Sequence, residues 1–109
     1  MLSILLAMSM ALPHERTKCG VQDGGAWVRN SDYPRKALRQ QLEGTVEFTL
    51  DVNAHGCPTR CVVTRSSNVP ILDEATCRLL MRRARFGPAE KDGKRVPATY
   101  SNHFTWSFG

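Results

Sequence analysis

The clearest signal in the chain is a strict alternation: Val46, Phe48, Leu50 and Val52 take every second position, separated by Thr45, Glu47, Thr49 and Asp51. Successive strand side chains point to opposite faces, so the pattern predicts a half-buried antiparallel strand with one face on a core. Asn53, Ala54, His55 and Gly56 supply the turn after it, and Thr59 to Arg65 returns as a second strand with Cys61 and Val63 on one side. Ser66, Ser67, Asn68 and Pro70 break that strand. Upstream, Pro34 to Leu42 reads as a short helix with Pro34 in its first position, Asp32 as cap, Ala37, Leu38 and Leu42 on one face, and Gly44 as the stop.

Leu72 to Arg85 reads as a second helix. Asp73 and Glu74 lie in its first turn and Arg82, Arg83 and Arg85 in its last, the order that the helix dipole favours. Its buried face is predicted to carry Leu72, Ala75, Thr76, Leu79 and Leu80. Gly87 and Pro88 end it, Asp92-Gly93 marks a turn, and Phe104, Trp106 and Phe108 alternate with Thr105 and Ser107 in a terminal strand. The expected fold is therefore α+β: an antiparallel three-stranded sheet with two helices on one face, in the order α-β-β-α-β.

Ahead of this body the chain changes character. Met1 to Leu12 carries no charge and is apolar enough for the core of a secretory signal, with Ser9 and Ala11 at the small-residue spacing of a cleavage site. The expected organisation is a leader over residues 1–11, a linker over 12–26 interrupted by Gly20, Gly24 and Gly25, and a domain over 27–109 in which Trp27 and Val28 anchor a leading strand onto a core edge. Cleavage would leave a mature N-terminus at Leu12. A length of 109 residues suits one domain and not two, because each of two cores would be too small.

A net charge of +5 favours acidic partners without choosing among them. Arg78, Arg82, Arg83, Arg85, Lys91, Lys94 and Arg95 form a basic run, and with Tyr100 or Trp106 as stacking platforms they would suit a small nucleic-acid-binding module. The favoured reading is a solvated helix face beside a basic loop, since those aromatics share a face expected to be buried. Four cysteines in an exported chain of this size suggest disulfides, and spacing alone allows three full pairings. Cys61 on the inward strand face and Cys77 on the covering helix are the expected pair; a Cys19–Cys57 bridge is a further option. A zinc site from His55, Cys57, Cys61 and Cys77 lacks a second tight pair, and the Cys57–Cys61 spacing is one residue too long for a thiol-redox motif. His14, His55 and His103 are scattered, Ser66 and Ser67 lie in no nucleophile elbow, and Asp73 and Glu74 read as helix-terminal charges. The expectation is no enzyme, no cofactor and no metal.

Taken in order, these segments resemble the TonB C-terminal domain family. The resemblance runs through Trp27-Val28, Asp32-Tyr33-Pro34, Ala37, Glu43-Gly44-Thr45-Val46, Asp51-Val52, Gly56 and Val63-Thr64-Arg65-Ser66-Ser67. It continues with Leu72-Asp73, Arg85-Phe86-Gly87-Pro88-Ala89, Asp92-Gly93-Lys94 and Phe104-Thr105-Trp106-Ser107-Phe108. Cys61 and Cys77 fall where one cysteine-bearing branch of the family has a pair. Asn68 stands where the family usually has glycine, so a left-handed asparagine is expected there.

The resemblance implies a periplasmic domain without cofactor, which grips the TonB box of a TonB-dependent outer-membrane transporter by adding it as a strand to its sheet. The edge would be the terminal strand: Thr99, Tyr100, Ser101, Asn102, His103, Phe104, Thr105 and Trp106. A transducer of this family also carries a transmembrane helix and a proline-rich linker, and no run of ~20 apolar residues occurs here. Contact with an inner-membrane proton-channel complex is therefore expected only of a longer form. The form expected from this sequence is an exported domain.

Overall fold

A computed structural model describes residues 27–87 and 89–108, so the expectations for the leader, the linker and Cys19 lie outside the described residues. A single turn of 3-10 helix, Asn30–Asp32, leads into α1 (Arg35–Arg39). Strands β1 (Gly44–Val52) and β2 (Pro58–Arg65) follow, then α2 (Pro70–Arg83), a hairpin of β3 (Ala89–Lys91) and β4 (Lys94–Val96), and β5 (Ala98–Trp106). The main sheet has the order β2-β1-β5, antiparallel throughout, while β3 and β4 form a separate two-stranded ribbon.

The core lies between the sheet and the helices, as the alternation requires. Val46, Phe48, Leu50 and Val52 are all buried, and they meet Leu72, Ala75, Leu79 and Leu80 from α2. Buried Thr76 completes the expected helix face, its hydroxyl donating to the Leu72 carbonyl at 2.7 Å. A disulfide joins Cys61 on β2 to Cys77 on α2 across a sequence separation of 16 residues. Closing a loop of that length contributes about 3 kcal/mol in the chain-entropy account. Cys57 is also disulfide-bonded. Asn68 takes φ +69°, the left-handed conformation expected of it.

Several local expectations need correction. Helix α1 spans Arg35–Arg39 rather than reaching Leu42, and Pro34 is its cap residue rather than its first turn. Gln41 adopts φ +54°, which reverses the chain and carries Leu42 back by a bond from its N–H to the Ala37 carbonyl at 2.9 Å. Leu38 is consequently 48% exposed instead of sharing a buried face with Ala37. Phe108 lies beyond β5, where it stacks on Tyr33 with ring centroids 4.8 Å apart. The basic loop after α2 contains the β3–β4 hairpin around Asp92-Gly93. Arg85 falls outside the helix and donates to the Ala84 and Arg82 carbonyls, which satisfies acceptors that the helix end leaves open.

Asp32 does not cap α1. Its carboxylate takes both guanidinium nitrogens of Arg83, at 2.8 and 3.1 Å, and the backbone N–H of Arg29. Arg83 also donates to the Trp27 carbonyl at 3.0 Å, fastening the entry segment to the end of α2. Asp73 is likewise more than a helix-terminal charge. It accepts from the Ser66 hydroxyl and from the N–H and hydroxyl of Ser67, at 2.5, 2.9 and 2.7 Å, closing the β2–α2 connection.

Both carboxyls titrate below the usual range. For Asp32 the bond from Arg83 dominates over burial; for Asp73 burial pushes upward, but the three donors from Ser66 and Ser67 together outweigh it. A carboxyl with a lowered folded-state pKa supplies stability above its unfolded value of about 3.9, and that stability is lost as the pH falls through the folded value. Asp32→Asn and Asp73→Asn are each expected to cost on the order of 1–2 kcal/mol near neutral pH. In urea unfolding each variant will also show a shallower decline below about pH 4 than the parent chain. Identical acid limbs in all three proteins would contradict these roles.

Candidate functional site

The two edges of the sheet are physically unlike. Pairing of β1 with β2 contains register shifts between Glu47 and Phe48 and between Asp51 and Val52. Buried Pro58 and exposed Arg60 and Arg65 add to the irregularity of β2. Bulges, proline and charge are the means by which sheet edges discourage a further strand. Pairing of β1 with β5 is unbroken from Gly44↔Trp106 to Val52↔Ala98, and among the described residues β1 is the single strand neighbour of β5. The regular, open edge is β5.

All the residues expected at the edge lie in this strand. On the outer face, Thr99, Ser101, His103 and Thr105 are exposed, and hydroxyl contacts brace the pairing: Thr45 with Thr105 at 2.8 Å and Thr49 with Ser101 at 2.7 Å. On the core face, Tyr100 and Phe104 are half-buried, Asn102 is exposed and Trp106 is fully buried. The Trp106 indole N–H donates to the Thr76 hydroxyl at 2.9 Å, which ties the end of the edge strand to the middle of α2. The Asn102 side-chain amide donates to the Tyr100 hydroxyl at 2.6 Å, and its carbonyl accepts the His103 backbone N–H at 2.8 Å. A backbone donor of the edge strand is thus satisfied by a side chain.

Residues beyond the strand complete the surroundings. Trp27 packs against Phe86 and Tyr100, with ring centroids 5.0 and 6.1 Å apart, and Phe86 packs on Tyr100 at 5.0 Å. Trp27 and Val28 do pack at the core edge, beside β5, but they do so in a bend and not in the leading strand expected of them. The contribution of Phe86 and Leu80 carried no local signal, because only the tertiary fold brings them to this strand.

Groups considered for other chemistry are employed elsewhere or apart. Cys61 and Cys77 are oxidised together, and among the described residues no cluster of His, Cys, Asp or Glu is placed to hold a metal ion. Ser66 and Ser67 serve Asp73. His55 sits in the β1–β2 turn, its N–H donating to the Asn53 side chain. Trp106 has no exposed face on which a base could stack, Arg83 is bound to Asp32, and Arg78 pairs with Glu74 at 3.8 Å.

The fold is that of a small α+β domain in which the more regular of the two edges of the main sheet is the last strand. The family model described as Gram-negative bacterial TonB protein C-terminal matches residues 29–108, and the chain belongs to that family. Its domains are non-catalytic protein-interaction modules of the bacterial envelope, active in energy transduction and in contact with outer-membrane transporters. No curated protein matches the chain. Among the described residues no helix is long and apolar enough to cross a membrane.

Proposed function

We propose that the domain binds TonB-box-type peptides of outer-membrane transporters in the periplasm by adding them as a strand along β5, from Thr99 to Trp106. The observation that carries this reading is the contrast between edges: an unbroken register along β5 and a twice-shifted one along β2. Main-chain hydrogen bonds would supply affinity and alternate side-chain positions selectivity. Residues 1–11 act as the export leader in this reading.

Titration of the labelled domain with a peptide spanning a transporter's TonB box is expected to shift backbone amides from Thr99 to Trp106 and leave those of β2 nearly unmoved. Flat amide positions along β5 at millimolar peptide would overturn the proposal. Binding to unrelated DNA with a steep salt dependence would support the nucleic-acid reading instead.

A further inference from the structure

The chain has four cysteines. Cys61 and Cys77 are joined to each other, and Cys57 is disulfide-bonded as well. Within this chain that leaves Cys19 as the partner of Cys57. Cys19 lies outside the described residues, so the position of Cys57 and the reach of the chain ahead of Trp27 decide whether the two can meet.

Cys57 is fully buried where the β1–β2 turn meets the start of β2. Asn53 holds it on both sides: the Asn53 side chain accepts the Cys57 N–H at 3.1 Å, and the Asn53 N–H donates to the Cys57 carbonyl at 2.9 Å. The neighbouring Gly56 carbonyl takes the Phe86 N–H at 3.0 Å, and the Phe86 ring packs on Trp27 with centroids 5.0 Å apart. Trp27 is therefore linked to the turn through a single intervening residue, Phe86. Eight peptide links join Cys19 to Trp27 and extend to as much as roughly 27 Å. A path across one side chain needs only part of that reach.

We infer that Cys19 and Cys57 form a second disulfide, which fastens the segment ahead of the domain to the β1–β2 turn and makes that turn, in place of Trp27, the point where pull from upstream enters the fold. Each thiol gives up one proton and one electron; the electron pair passes to the disulfide of a thiol oxidant, which leaves as a dithiol. The bacterial envelope, with which the family is associated, includes a compartment where such bridges persist. The two bridges have different roles. Cys61–Cys77 joins two elements of the core, whereas Cys19–Cys57 carries load around the segment from 20 to 56. With it closed, tension on residues ahead of Cys19 passes through the covalent bond and spares the bonds from Arg83 to Asp32 and to the Trp27 carbonyl. With it open, the same tension reaches Trp27 and falls on those bonds first. None of this depends on what β5 binds.

Trypsin cleaves after Lys and Arg, and it places the four cysteines in four different peptides: 19–29, 40–60, 61–65 and 66–78. The full chain is folded in a glutathione redox buffer, blocked with a thiol-alkylating reagent and digested without reduction. The expected map shows 19–29 joined to 40–60 and 61–65 joined to 66–78, each pair separating on reduction. Alkylated 19–29, or 40–60 joined to any other peptide including its own copy, would overturn the pairing. The load path is read by unfolding single molecules of the full chain from their two ends. Cys19→Ser is expected to release more chain than the parent, by the 38-residue separation of Cys19 and Cys57, or roughly 130 Å. The Cys61–Cys77 bridge is present in both proteins and cancels from the difference. Equal released lengths would show that pull from upstream does not enter at Cys57, and would overturn the inference while leaving strand addition on β5 intact.

Discussion

Replacing Gly56 by alanine is expected to cost about 4 kcal/mol or more and to leave much of the chain unfolded under ordinary conditions. Gly56 has φ +85°, a conformation that is unfavourable for any residue bearing a Cβ. The larger penalty is spatial. A Cβ at this position would lie 2.0 Å from the Phe86 carbonyl oxygen, and that oxygen belongs to backbone rather than to a side chain that could turn aside. Relief requires the segment after α2 to move away. Such a movement breaks the bond from the Phe86 N–H to the Gly56 carbonyl, now 3.0 Å, and withdraws the Phe86 ring from Trp27 and Tyr100. Domains of this size have about 5–15 kcal/mol in total, so little margin would remain. Urea unfolding followed by circular dichroism measures the effect directly. A variant within about 1 kcal/mol of the parent would mean that the β1–β2 turn and the segment after α2 can separate at little cost.

Removal of the Trp106 ring is the second large effect. Trp106 is fully buried, its ring lies edge-on to Tyr33 and Phe104 at 5.1 and 4.9 Å, and its N–H is committed to Thr76. Trp106→Ala is expected to cost about 3–5 kcal/mol, the range for emptying a large aromatic site that closes only partly. Trp106→Phe keeps most of the volume and loses the donor, and is expected to cost about 1–2 kcal/mol, near the value of one buried hydrogen bond. The gap between the two variants in denaturant midpoint therefore separates packing from hydrogen bonding. Equal losses would show that the bond to Thr76, and not the ring volume, holds the end of β5.

How far these features could be read from the sequence depends on the range of the forces behind them. The alternation from Thr45 to Val52 and the helical face of Leu72, Ala75, Thr76, Leu79 and Leu80 are periodic, and both appear in the structure as expected. The Cys61–Cys77 bridge was legible for the same reason, since two correctly assigned faces bring those residues together. The β3–β4 hairpin was legible only as its turn: strands of three residues rich in charge show no hydrophobic alternation. Asp32 and Arg83 lie 51 residues apart, and nothing near either announces the other. A local rule assigned Asp32 to a helix cap, but the bidentate guanidinium contact offers a charged partner that a cap lacks. At the site, the residues of β5 came from family resemblance, whereas the aromatic cluster beside them depends on Trp27, Phe86 and Tyr100 converging from three separate segments.

The open side of β5 has a consequence for how long the folded domain survives. An edge strand held from one side contributes less cohesion than an interior strand, so the final segment of the chain depends more than β1 does on what lies beside it. A ligand that binds only the folded form raises the free energy of unfolding by about 2.7 kcal/mol at a hundredfold excess over its dissociation constant. A strand seated on β5 would bring that gain to an edge of the sheet, where the strand partner lies on one side. The engaged domain would then open more rarely than the idle one and yield more slowly to proteases, so that its lifetime reports its occupancy.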